Sequence, residues 1–253
     1  MARLWSSGFE LNSLTAGVEI TSVTGSPTIV TSPVRSGTYA LSSDVSSSQA
    51  WARYTFASPG IEVVYYRFYL RIATSVSETV NIFDVNSPTE GLSVHIGLTS
   101  SNTLQLINDA GVPSGQVGSD SSALSLNQWY RVELAVDSST IIAVTLEARL
   151  DGTPFASGEV EWDAGDQGYI DFGIVSIITS GTILFDDLAI NDGDSAVLRA
   201  EAGVLLMNLI EEIADLRDLF GRVAERFRAH GDRGVYLVRT GSANFEHRNT
   251  SGA

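Results

Sequence analysis

The chain has 253 residues, 43% of them apolar and only 18% charged, with 30 acidic against 15 basic residues and a formal net charge of −15. It is long enough for one large all-β domain plus an appendage or for two modest domains, and too apolar for a disordered chain. The acidic excess argues against nucleic acid or an anionic membrane surface as a partner, and zero cysteines exclude a disulfide framework, a thiolate metal site and a cysteine nucleophile. Every basic residue is arginine, which a GC-rich coding bias accounts for more simply than adaptation to salt or heat. The start, "MARLWSSGFEL", lacks the charged, apolar and small-residue regions of a signal peptide, and no apolar run nears the roughly 18 residues of a membrane span. The expectation is a soluble protein made in the cytoplasm.

From Leu4 to Ile190 the pattern is of strands. "VEITSV", "TYALSS", "WARYTF", "EVVYYRFYLRI", "TVNIFDV" and "LSVHIGL" come first, followed by "TLQLIND", "WYRVELAVD", "IIAVTLEARLDG", "YIDFGIVSI" and "TILFDDLAI". These are rich in Val, Ile, Thr, Tyr and Phe, and many alternate apolar with polar. Tyr130, Val132, Leu134 and Val136 fall on one face, with Arg131, Glu133 and Ala135 on the other. Turn signals separate the segments at Ser58-Pro59-Gly60, Asn108 to Gly111, Asp151-Gly152 and Ser180-Gly181. Asp151-Gly152 is the clearest two-residue hairpin, since glycine tolerates the positive φ such a turn requires. The Ser-rich stretches Ser42–Ser48 and Ser114–Ser125 read as surface connections, with a binding loop as the alternative. So many strands with no intervening helix and no long repeat predict a mainly β chain: two packed antiparallel sheets, or a barrel.

"VRSGTYALSS", "NQWYRVELAVD" and the last strand "GTILFDDLAIND" together resemble the concanavalin A-like, laminin G-like jelly rolls, notably those of tailed-phage structural proteins. The resemblance covers residues 1–193 and implies two curved sheets packed as a sandwich.

Many jelly rolls of this kind cleave glycans, but the motifs for doing so are missing. Retaining glycanases of similar fold carry a Glu-x-Asp-x-x-Glu strand that sets two carboxylates about 5 Å apart, and no such spacing occurs. Glu159, Glu161 and Asp163 share one strand face, which reads as a solvated face opposite Val160 and Trp162 before it reads as a carboxylate cluster. The alginate-lyase-like members use a Gln-x-His strand. In "LSVHIGL" Ser93 stands where Gln would be before His95, so His95 reads as an ordinary sheet histidine facing away from Val94 and Ile96. His230 and His247 make no metal-ligand spacing. Some laminin G-like domains bind calcium at a sheet edge. Asp186, Asp187, Asn191, Asp192 and Asp194 offer hard oxygen ligands, though a turn with a helix N-cap at Asp194 or Ser195 explains them better. With no lysine, phosphate-loop chemistry is excluded. No catalytic residue, cofactor or metal is therefore expected. Trp5, Trp51, Trp129 and Trp162, with Tyr65, Tyr66 and Tyr69, include rings able to stack on sugars, although each taken singly reads more readily as core.

The C-terminal part differs in kind. Placing Leu206 at heptad position a puts Leu209 at d, Ile213 at a, Leu216 at d, Phe220 at a, Val223 at d and Phe227 at a. That is the 3.5-residue period of a coiled coil. Glu212 and Arg217 fall at charge-pairing positions, while Leu205, Ile210 and Leu219 broaden the seam toward three or more helices. A helix over 195–230 would be roughly 50 Å long at 1.5 Å per residue, longer than the roughly 40 Å width of a jelly roll of this size. Docking on its own sandwich is thus the poorer alternative. "VYLVRT", Val235–Thr240, reads as a strand without an obvious partner in its own domain, able to add to a neighbour's sheet edge.

The organisation expected is a jelly roll (1–193), a helical oligomerisation segment (194–230) and a short strand and tail (231–253). The function it favours is a non-catalytic structural protein of a tailed-phage virion, a capsid decoration or tail component. Its partners would be copies of itself, as a trimer, and other virion proteins. A carbohydrate-binding adhesin is the alternative, and a glycan-cleaving enzyme the third reading. If the seam assembles the chain, replacing Leu216 and Phe220 by Asp should dissociate the oligomer in sedimentation and leave the β signal in circular dichroism unchanged.

Overall fold

Period-two alternation is plainest in Val63–Thr74 and Trp129–Asp137, and both segments bury every second residue along their alternating stretches. The computed structural model describes residues 3–17, 19–56, 63–87, 93–109, 114–139, 143–161 and 167–193, with the backbone of 236–237 and 246–247. Two compact units divide the chain, Met1–Ala196 and Val197–Ala253.

The first unit contains β1 (Arg3–Ser7), β2 (Ser22–Thr24), β3 (Thr28–Val30), β4 (Ala40–Thr55), β5 (Val63–Thr74), β6 (Val80–Asn86) and β7 (Ser93–Leu98). It continues with β8 (Leu104–Asn108), β9 (Gly115–Val117), β10 (Trp129–Asp137), β11 (Val144–Leu150), β12 (Thr153–Val160) and β13 (Tyr169–Asp192). All named pairings among them are antiparallel and form one hydrogen-bonded network. Two long strands fold that network into layers. β4 and β13 run side by side from Thr55 opposite Tyr169 to Leu41 opposite Phe185, and residues 175–177 of β13 bulge out opposite Gln49. On its other edge β13 takes β6 along residues 169–172 and β5 along residues 182–192. One layer is therefore β2, the C-terminal part of β4, the N-terminal part of β13, then β6, β7, β8 and β9. The other holds β3 with the N-terminal part of β4, β1, the C-terminal part of β13, then β5, β10, β11 and β12.

The corner is sharp. Ser43 Oγ donates a 2.8 Å hydrogen bond to the carbonyl of Ala50, seven residues along the same strand. A straight strand would separate those residues by about 23 Å at 3.3 Å per residue. Gly173 sits in the same corner at φ +128°, where a Cβ would lie 2.5 Å from the Ala50 oxygen and 2.7 Å from Ser43 Oγ. Only glycine fits both that angle and that approach.

The inward faces meet as a core with an aromatic centre. Phe68 of β5 stacks on Phe83 of β6 with ring centroids 4.6 Å apart, and Tyr66 meets Phe83 edge-on at 5.5 Å. These contacts join residues of opposite layers, so the unit is a two-layer β-sandwich, as predicted. Asp151-Gly152 forms the predicted two-residue turn between β11 and β12, with φ of 50° and 85°.

Three expectations are corrected. Ser42–Ser48 is no surface connection but lies inside β4, with Ser43 fully buried. Ser180-Gly181 does not end a strand but lies inside β13, because β4 stays paired across the corner. Gly115–Val117, within the second Ser-rich stretch, forms an edge strand on β8. In the second unit β14 (Tyr236–Leu237) pairs antiparallel with β15 (Glu246–His247), so the strand near Val235–Thr240 finds its partner within this chain. Asp194, Ser195 and the seam Leu206, Leu209, Ile213, Leu216, Phe220, Val223 and Phe227 lie outside the described residues. Replacing Phe83 by Ala, which empties the centre of the sandwich, should cost about 3–5 kcal/mol, read as a lower midpoint in denaturant unfolding.

Candidate functional site

Alternation turns one polar residue of each strand of the first layer outward, and strand pairing sets these in line. Arg53 on β4 is opposite Asp171 on β13, Asp171 is opposite Asp84 on β6, Asp84 is opposite His95 on β7, and His95 is opposite Ile107 on β8. Their neighbours Ala52, Phe172, Phe83, Val94 and Leu106 point inward to the core. The row is on the outer face yet poorly exposed: Asp171 is 4%, Asp84 6% and His95 2% accessible.

Arg53 grips Asp171 through two bonds, Nε to Oδ1 at 2.6 Å and Nη2 to Oδ2 at 2.7 Å, the strong two-pronged form of this pair. Its guanidinium lies 3.8 Å over the ring of Tyr169 and 5.2 Å from that of Trp51. The bond to Asp171 raises the Arg53 pKa against the opposing effect of burial. Asp84 has no such partner. Burial, and then the charges of Asp171 and Asp109, hold its carboxyl well above the usual carboxylate range. Its Oδ1 is buried without a hydrogen bond, and so is Nε1 of Trp51. Burial pushes the His95 imidazole below its ordinary value, against the pull of Asp109, whose Oδ2 is 3.5 Å from Nε2. Nδ1 of the same ring meets Ser93 Oγ at 3.3 Å. Farther along, Asp120 accepts from Gln105 at 3.0 Å and Gln116 at 2.7 Å, bonds that lower its pKa.

The arrangement offers a neutral-leaning imidazole and a carboxyl biased toward its protonated form, between an internally neutralised ion pair and two aromatic rings. Such a floor can give and accept hydrogen bonds without presenting a free positive charge. Perturbed groups of this kind concentrate at functional sites.

Sequence reasoning turned His95 to the correct face and read it as an ordinary sheet histidine. Arg53, Asp171 and Asp84 were passed over, since they come from three strands far apart in the chain. Glu159 lies on β12 in the other layer and is exposed, as is Glu161; Asp163 and Trp162 lie outside the described residues. Glu159 and Glu161 do not join the row. The aromatic residues divide: Tyr66 is core, Trp5 stacks on Tyr54 at 4.5 Å, and Trp51, Trp129, Tyr65 and Tyr69 are half-buried on outward positions. Asp186 and Asp187, weighed above as calcium ligands, are committed otherwise. Asp186 accepts the backbone N–H groups of Arg35 at 2.8 Å, Ser36 at 3.2 Å and Asp187 at 2.7 Å, while Asp187 pairs with Arg35 at 3.0 Å. They clasp the segment before β4 to β13. Among the described residues no group of three or more His, Asp or Glu is placed to hold a metal ion.

No family model matches the sequence, and no curated protein is similar to it. Solved structures do share the fold. An endo-β-1,4-glucuronan lyase from Trichoderma reesei is 13% identical, with a TM-score of 0.56 over 76% of this chain and 96% of its own. An alginate lyase from Aplysia kurodai is 10% identical, with 0.54 over 76% and 100%. Domain 4 of the arabinanase AbnA from Geobacillus stearothermophilus, solved with arabinotriose, is 14% identical, with 0.52 over 76% and 93%. The likeness is one of fold. The first unit of this chain is a β-sandwich of the jelly-roll type that these structures share.

Because the folded pKa of Asp84 lies above its unfolded value of 3.8, its contribution to stability is present below that value and is lost as pH rises through the folded one. Replacing Asp84 by Asn should therefore make the protein more stable at neutral pH, by about 1–3 kcal/mol. The gap from the parent should close toward acid pH in thermal melts.

Proposed function

We propose that this chain is a non-catalytic carbohydrate-binding protein that lays a neutral glycan across the outer face of the first layer. The observation that carries this reading is the buried polar row Arg53–Asp171–Asp84–His95, with an unpartnered carboxyl oxygen on Asp84. A fold keeps such a group at about 1–3 kcal/mol, and folds tolerate that where a function uses it. Trp51 and Tyr169 flank the row and supply rings for sugar stacking. Charge selects the ligand class. The one arginine of the row is neutralised by Asp171, and Asp109 and Asp120 make the face acidic, so an uncharged polysaccharide fits better than a uronate or sulfated one. The glucuronan lyase, the alginate lyase and the arabinotriose-bound domain, all of like fold, support a sugar ligand in general.

Absence of catalysis is part of the proposal. Arg53 is tied to Asp171, and Ser93 stands two residues before His95, where the Gln-x-His strand of the alginate-lyase-like resemblance would place Gln. The virion role rests on the heptads of 194–230, outside the described residues, and draws no support from structures that handle sugars. The same heptads fit the present reading, since a trimer would present three binding faces and raise avidity for a polymer.

A panel of neutral and acidic polysaccharides, tested by affinity electrophoresis with the intact protein, should show retardation by at least one neutral polymer. Trp51→Ala should weaken that binding about tenfold, a loss of about 1.4 kcal/mol, without changing the β signal. Ultraviolet absorbance of unsaturated chain ends should not rise on incubation with any member. Binding to no neutral member would defeat the proposal, and unsaturated product would defeat its non-catalytic part.

A further inference from the structure

Charge is sorted along the outer face of β5, β10, β11 and β12. Arg67, Arg71, Arg131 and Arg149 fall in one half of it, and Glu147, Asp137 and Glu159 fall in the other. The boundary runs between two cross-strand rows, Arg67–Glu133–Arg149 and Tyr65–Ala135–Glu147. Two carboxylates also belong to the arginine half. Glu133 lies 3.5 Å from Arg131, and Asp151 in the turn accepts the Arg131 backbone N–H at 2.8 Å. They leave that half positive. At its margin Asp186 is inaccessible and bonded to three backbone N–H groups, and Asp187 is paired with Arg35.

A face sorted in this way is complementary to itself. Two copies laid face to face about a two-fold axis in the contact plane, crossing the strands at that boundary, place each half over its opposite. Arg131 then stands against Asp137 of the partner subunit, and Arg149 against Glu147 of the partner subunit. Arg67 stands against Tyr65 of the partner subunit, a guanidinium over a ring. Elsewhere two chains of net charge −15 repel each other, and the outer face of the first layer is acidic. Half-buried Trp129 and Tyr65 among arginines, on a chain without lysine, match the composition of interface cores. Size agrees as well. Four strands and the nine residues of β10 make a patch of about 19 by 30 Å, roughly 600 Å² before side-chain relief is counted. A standard interface buries about 800 Å² per partner.

We propose that the outer face of β5, β10, β11 and β12 is a docking surface for a second copy of this chain, with the arginine half of each copy over the carboxylate half of the other. The contact is separate from the heptad seam of 194–230. It leaves the outer face of the first layer uncovered on both copies, so it stands or falls independently of glycan binding. Opposite charges hold it, and the attraction falls with salt.

The full-length chain carrying Leu216→Asp and Phe220→Asp, which removes assembly through the seam, is the protein to sediment. At low salt and micromolar concentration it should run as a dimer and shift toward monomer as salt rises. Adding Arg131→Glu with Arg149→Glu makes both halves acidic and should weaken self-association at least about tenfold. Adding Glu147→Arg with Glu159→Arg makes both halves basic and should do the same. Mixed in equal amounts, these two variants should form the dimer that neither forms alone. Asp120→Arg, on the first layer, should leave the dimer intact. A monomeric seam variant, dimers untouched by either double reversal, or a mixture that fails to associate would each overturn the proposal. Circular dichroism checks that each variant is folded; where a pair is not, the same mixing with Arg149→Glu and Glu147→Arg alone decides.

Discussion

The sharp corner shared by β4 and β13 is the constraint on which the rest of the sandwich depends. Two strands of 16 and 24 residues stay paired with each other while passing from one layer to the next. A bent pair leaves backbone groups and side chains crowded on its inner side. Ser43 meets that crowding by bonding to the Ala50 carbonyl, and Gly173 meets it by having no side chain. Beyond the corner β6 and β5 can occupy the same edge of β13 without overlapping, and Phe83 and Phe68 are brought face to face. The aromatic core is a consequence of the corner as much as of hydrophobicity.

The same geometry gives the protein two outer faces of different chemistry. β13 contributes Asp171 to one and Asp187 to the other, and each is paired with an arginine from a preceding segment, Arg53 and Arg35. On the first layer that pairing exhausts the positive charge, and what remains is acidic or buried. On the second layer Arg35 and Asp187 stand beside Asp186 and Glu10 at the end of β1. A net charge of −15 says nothing about where the charges fall.

Buried polarity is dealt with differently at three acidic residues. Asp186 is inaccessible to water but accepts three backbone N–H groups, so its burial secures the segment before β4. Asp171 is buried against a guanidinium that meets both of its oxygens. Asp84 has a side-chain hydrogen bond with Asn81 and a weak pull from Arg53, but its buried Oδ1 has no hydrogen bond. The first two are explained by structure; the third leaves one buried oxygen unsatisfied.

Much of the fold was legible in the sequence. Period-two alternation in Trp129–Asp137 and Val63–Thr74 assigned strands and faces correctly, and Asp151-Gly152 announced its turn, because both signals are local. The Ser-rich run 42–48 was misleading, since serines that serve a bent, partly buried strand look the same as serines in a loop. The direction of His95 also followed from alternation, which depends only on the residue's own strand. What alternation cannot supply is the order of strands in a sheet. Arg53, Asp84, His95 and Asp171 become one row only through pairings between segments up to more than a hundred residues apart. The sequence by itself determined which residues face outward and how much charge the chain carries. Tertiary structure alone decided which of those residues stand together, because side chains interact over a few ångströms and the chain's path sets which ones come that close.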